Sequence, residues 1–80
     1  MSETKVDIER LVDAELAKGE PRSREYRWGM IDVLRFRLHG TPIPSRYRAG
    51  TVEYDAYFAG NEHGHALFRQ RAAAAADVPR

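Results

Sequence analysis

"YFAGNEHGHALF", residues 57–68, sets two histidines one residue apart beside a glutamate and spaces two glycines four residues apart. Read as a strand, His63 and His65 would share a face and converge on a ligand; read as a helix, they diverge by about 200°. The period of the surrounding residues decides between the two. On a helical wheel over 51–71, Tyr54, Tyr57, Phe58, Asn61, Gly64, Leu67 and Phe68 gather on one face, with Gly60 and His65 at its margins. Asp55, Glu62 and Arg69 fall opposite at heptad spacing. That regularity outweighs the roughly 1 kcal/mol that each internal glycine costs a helix.

A helix here changes the chemistry expected of the segment. His63 should face solvent, so that His63→Ala is nearly silent, and His65 should lie at the edge of the core. The helical zinc spacing H-E-x-x-H is absent, and no metal site is expected. Ala56, Gly60 and Gly64 instead form a small-residue row against which a second helix can pack closely, with Tyr26, Met30 and Leu34 as its contacts. Alanine at Gly60 or Gly64 should disturb that contact. Asn61, if buried, needs a hydrogen-bond partner such as a tyrosine hydroxyl or the backbone of a loop. The rival reading is a turn at Gly60-Asn61 that splits the segment into two short helices.

Working outward, Thr51 is a fitting helix cap, with Glu53 and Asp55 in the favourable first turn. The alanine run at 72–76 extends the helix, giving a span of about 51–75 with 76–80 frayed. Upstream, "GTPIPSRYRAG" at 40–50 carries two prolines and two glycines and reads as a connecting loop, with Arg46 and Arg48 flanking Tyr47. A second helix spans 23–39, capped by Ser23 and ended by Gly40 and Pro42. Tyr26, Met30, Val33 and Leu34 share its apolar face, while Arg24, Trp28, Asp32, Arg35 and His39 collect opposite. Arg37 is a misfit on the apolar side, and "LRFRL" at 34–38 alternates as a half-buried strand would; its flank lacks that alternation, which favours helix. The first helix spans 4–18, with Thr4 as cap, Asp7 at its third position, and Ile8, Leu11, Val12 and Leu16 as an apolar stripe laid across the other two. Its remaining face bears Asp7, Glu9, Asp13 and Lys18, a solvated surface or an acidic patch for a basic partner.

The expected fold is therefore all-α: one compact three-helix domain over residues 1–80 with a Pro/Gly-rich loop at 40–50. A chain of 80 residues hides only about 60–65% of its unfolded surface and can hold one core. It has no cysteine for disulfides or thiolate metal sites, so self-association, a homodimer, is a natural source of extra stability. The apolar runs are far shorter than the roughly 20 residues of a membrane span, and the start lacks the order of a signal peptide. A reducing cytoplasm, such as that of a bacterial host cell, is the expected location.

Net charge is only +1, but it is unevenly placed. Residues 1–20 are acidic, 21–50 are basic through seven arginines, and 51–80 are nearly neutral. Arginine's planar fork suits carboxylate and phosphate recognition. No nucleophile elbow, Walker loop or dinucleotide fingerprint occurs, so neither enzyme activity nor a cofactor is expected.

"YRWGMIDVLRFRLHGTP" at 26–42 and "YDAYFAGNEHGHALFR" at 54–69 each pair an aromatic residue with a nearby glycine, as Trp28-Gly29 and Phe58-Ala59-Gly60. In that texture the chain resembles relatives of ribosome modulation factor, which implies a ribosome- or RNA-associated role. As a short, standalone chain of mixed charge without catalytic motifs, it also resembles the small accessory proteins of phages and mobile elements, including the anti-CRISPR inhibitors. That second resemblance implies a non-enzymatic inhibitor that masks a surface of a nucleoprotein complex, blocking effector function or DNA entry. It is the leading expectation, followed by the RNA-associated factor and then by a small DNA-binding regulator. The expected partner is a protein or nucleoprotein complex. Arg24, Trp28, Arg35, Arg46 and Arg48 are the expected partner-binding residues, because interface anchors are enriched in tryptophan and arginine.

Overall fold

The computed structural model describes residues 7–76 and contains three helices, α1 (Ile8–Leu16), α2 (Arg24–His39) and α3 (Val52–Ala76), with no strand among the described residues. The all-α three-helix expectation holds. Each helix begins at a side chain that satisfies an orphan amide of the first turn. The Asp7 carboxylate accepts from the Arg10 N–H at 3.1 Å, the Ser23 hydroxyl from Tyr26 at 3.2 Å, and the Thr51 hydroxyl from Tyr54 at 3.1 Å. Asp7 is therefore the cap of α1 and not its third residue, and α1 ends at Leu16 instead of 18. Thr4, the expected cap, lies outside the described residues. The fraying expected over 76–80 falls on Ala76, which is still helical, and on 77–80, which lie outside the described residues.

The segment 57–68 is one uninterrupted helix, with no turn at Gly60-Asn61. "LRFRL" is helical too: Leu34 is buried, Phe36 is 44% exposed, and the misfit Arg37 lays its guanidinium over the Phe68 ring at 4.3 Å. A cation over an aromatic face lets a charged residue cover apolar surface without being stranded.

α2 and α3 meet along glycines. A methyl group at Gly60 would lie 2.0 Å from the Tyr26 carbonyl oxygen, and one at Gly29 would lie 2.1 Å from that of Tyr57. A methyl group at Gly64 would lie 3.1–3.2 Å from Met30 and Val33. Tyr26 thus sits at Gly60 and Met30 at Gly64, so positions advance together along both helices and α2 and α3 run in the same direction. The Asn61 amide donates across this seam to the Gly29 carbonyl at 2.8 Å, a hydrogen bond that two backbones held apart by side chains would not permit. Its partner is thus α2 backbone and not the tyrosine hydroxyl or loop expected.

Parallel neighbours cannot be joined by a tight turn. Residues 40–51 must carry the chain back along α2 before α3 begins, and they form an extended strap with no helix of its own. Both ends of the strap use left-handed glycines: Gly40 at φ 74°, whose amide closes α2 onto Phe36 at 3.0 Å, and Gly50 at φ 89°, just before the Thr51 cap. Glycine adopts that region without the steric cost of a Cβ.

α2 is the hub. Every residue from Gly29 to Leu34 is buried, because α3, α1 and the strap each cover a different side. Ile8 and Val12 of α1 join Tyr26, Met30, Ile31, Leu34 and Leu67 in one core, with Leu11 and Leu16 packed at its edge. α1 was expected to lie across both other helices. Its backbone lies close to α2 alone, with no Cα within 8 Å of α3, and it reaches α3 through side chains such as Glu15. The buried seam of α3 is Tyr57, Gly60, Gly64 and Leu67, rotated away from the face expected, so that Phe58 is 51% exposed. The closest approach follows the missing side chains and not the largest ones.

Candidate docking site

The unevenly placed charge is largely consumed inside the fold. Arg27 of α2 donates to Asp13 at 2.7 and 3.2 Å and to Glu9 at 3.4 Å, and Arg35 reaches Glu9 at 3.5 Å. The basic partner of the acidic first helix is the second helix of the same chain. Arg27 holds the Asp13 carboxyl below the usual carboxylate range, chiefly through its hydrogen bond, which outweighs the opposing desolvation, with its charge adding a smaller pull.

The expected partner-binding residues are not brought together as a set. Arg24 is exposed and lies 3.7 Å from Glu25. Arg48 is exposed at the end of the strap, where its carbonyl accepts from the Thr51 hydroxyl at 2.7 Å. Arg35 is tied to α1. Only Trp28 and Arg46 meet, the guanidinium stacking on the half-buried indole at 4.3 Å.

Arg46 is also the anchor of the strap. Its fork donates to both carboxylate oxygens of Asp32, at 2.6 and 3.1 Å, and the Tyr57 hydroxyl donates to the same carboxylate at 2.6 Å. Asp32, expected on an open polar face, is 2% exposed. A buried carboxylate is tolerated when it is paired and hydrogen-bonded, and here three donors from two elements converge on it. Burial, followed by the hydrogen bond to Asp32, raises the Tyr57 phenol well above its ordinary value and keeps it a neutral donor. Composition marked Asp32 as polar; only the return of the strap reveals it as a clamp.

His63 is not a solvent residue. Its Nδ1 lies 2.7 Å from the Tyr26 hydroxyl and its Nε2 lies 3.0 Å from Glu15, joining all three helices. The hydrogen bond to His63, and then Lys18, hold the Glu15 carboxyl below the usual carboxylate range despite its desolvation. The wheel sent His63 to solvent because it records α3 alone, whereas α1 crosses that side of it. His63→Ala would leave a tyrosine and a glutamate without their shared partner, so a loss of stability is expected from it. His65 lies at the core margin, as expected, and among the described residues no group of three His, Asp or Glu is placed to hold a metal ion. No helix there is long and apolar enough to cross a membrane.

Once these internal pairings are made, a surface with unspent binding capacity lies between the strap and the start of α3. Ile43, Pro44, Ser45, Arg46 and Tyr47 form one wall of a groove of about 300 Å³, and Tyr54, Tyr57, Phe58 and Asn61 form the other. Tyr54 and Phe58 stack with ring planes 12° apart, and Tyr47 tilts against Tyr57 at 5.4 Å. Ile43 is 40% exposed and Val52, at the first turn of α3, is 77% exposed. Exposed aromatic and aliphatic side chains clustered on a rigid rim are the composition of interface cores. Sequence reasoning assigned Tyr54 and Phe58 to the core. The available signal was that Phe58 lies three residues after Asp55 and four before Glu62, on the charged stripe of the helix. Comparison with protein-family models, curated proteins and solved structures finds no match to this chain.

Proposed function

We propose that this chain is a non-enzymatic binding module that covers a surface on a protein component of a larger complex. The observation that carries this reading is the groove between the strap and α3: apolar and aromatic, open to solvent, and held in shape by the Asp32, Arg46 and Tyr57 clamp. A preorganised apolar site loses little freedom on binding, which is how a small domain gains affinity. Its more specific form is the inhibitor of a nucleoprotein complex, for instance a CRISPR effector, and that form is supported by mixed charge and lack of catalytic motifs.

The internal use of the arginines favours a protein target over bare nucleic acid. Affinity for nucleic acid grows with the number of cations free to displace counterions, and Arg27, Arg35 and Arg46 already face carboxylates. An RNA-associated role draws support from one feature, the stack of half-buried Tyr54 on exposed Phe58, since aromatic faces also receive bases. A photo-crosslinking residue at position 58, introduced in the host cell, is expected to capture a protein, and Phe58→Asp in the same chain with the crosslinker at position 54 is expected to lose it. Tight binding of the purified protein to RNA or DNA alone, falling steeply with salt, would sink the reading.

A further inference from the structure

Past Phe58, the groove borders on the charged stripe of α3. Asp55 and Glu62 are exposed and a heptad apart on α3, with Phe58 between them on the same side of the helix. Neither carboxylate has an ion-pair partner among the described residues, a state they share with Glu20 and Glu53, whereas Glu9, Asp13, Glu15, Glu25 and the buried Asp32 are paired. On the opposite wall the Arg46 charge is spent on Asp32, and Arg48 stands beyond it at the strap's end. The groove therefore joins stacked aromatic faces to unspent negative charge.

We infer that it receives an arginine-bearing basic segment of a partner protein. This rests on the docking reading above and adds the chemistry of the occupant. A guanidinium can stack on Tyr54 or Phe58 while its N–H groups reach Asp55 or Glu62, so one side chain satisfies both features of the site. The chain already shows this pairing once, where Arg46 stacks on Trp28 while its fork holds Asp32, and Arg37 on Phe68 shows the stacking by itself. Lysine, with no planar face, fits less well. Nucleic acid is disfavoured, because its phosphates would meet the two carboxylates.

The test uses the whole purified chain and follows backbone NMR shifts on adding a short Arg-Ala repeat peptide, its Lys-Ala and Glu-Ala counterparts, or a single-stranded oligothymidylate. The Arg-Ala peptide is expected to shift residues 54–62 and 43–47 and to bind about three- to fivefold more tightly than the Lys-Ala peptide. Phe58→Ala, or the pair Asp55→Asn and Glu62→Gln, should each weaken it by a similar factor; all three positions are exposed, and an unchanged helical spectrum confirms folding. Arg-Ala binding that maps elsewhere or survives these substitutions overturns the inference, as does the absence of binding at millimolar peptide. Shifts at 54–62 from the Glu-Ala peptide alone overturn the occupant's charge while leaving the docking surface standing. Shifts there from oligothymidylate alone overturn both. A concentration-dependent dimer by light scattering that Phe58→Asp abolishes assigns the groove to a second copy and also overturns it.

Discussion

Gly60 and Gly64 belong to one row on α3, yet they carry different loads. The space a Cβ would need at Gly60 is occupied by the Tyr26 carbonyl oxygen at 2.0 Å, which is backbone and cannot rotate away. At Gly64 the nearest atoms stand 3.1–3.2 Å away and must yield only a few tenths of an ångström. Gly60→Ala is therefore expected to destabilise the protein by about 3 kcal/mol or more, and Gly64→Ala by about 1 kcal/mol, as read from urea midpoints with the slopes compared. Equal losses at the two positions would mean that the helix contact is not centred on Gly60. Gly29 completes the seam from the other helix. The sequence showed the row on α3 through its spacing, whereas Gly29 stands alone in α2 and has no periodic companion to announce it.

At the scale of elements, the strap converts from a connection into a wall of the core once α2 and α3 are parallel. Its attachment rests on one carboxylate: Asp32 accepts from Arg46 and from Tyr57, and the Arg46 guanidinium closes over Trp28. Asp32→Asn keeps the shape but removes the charge that the fork matches. We expect it to cost about 2–3 kcal/mol. Loosening should be local first, seen as faster amide exchange in 43–50 and a shifted Trp28 emission while helix content holds. Retention of native exchange in the strap would show that apolar contacts alone hold it. The helices, their caps and their stop signals were legible from local spacing. The strap's role was not, because prolines and glycines say that a segment is irregular without saying what it lies against.

Across the whole molecule, α1 is the element attached with most charge and least backbone contact. Asp13 and Glu15 both have carboxyls held below the usual range, by Arg27 and by His63 respectively. A carboxylate whose folded pKa is depressed stabilises the fold above its unfolded pKa, and that contribution is lost as pH falls through the folded value. Stability should therefore be full near neutrality and decline in acid below the ordinary carboxylate range. α1 amides should lose exchange protection before those of α2 and α3, and His63→Ala should shrink the part of the decline that belongs to Glu15. A pH profile unchanged by His63→Ala would remove the three-helix link from this account. The helical class, the three segments and the glycine row are written in the chain locally, since each follows from the periods and caps of neighbouring residues. That α2 and α3 run parallel, that Asp32 and His63 are interior partners, that Arg27, Arg35 and Arg46 face carboxylates, and that an aromatic groove is left open emerge only in the folded chain. Those outcomes depend on which distant residues meet, and one helix's wheel holds no record of what crosses it.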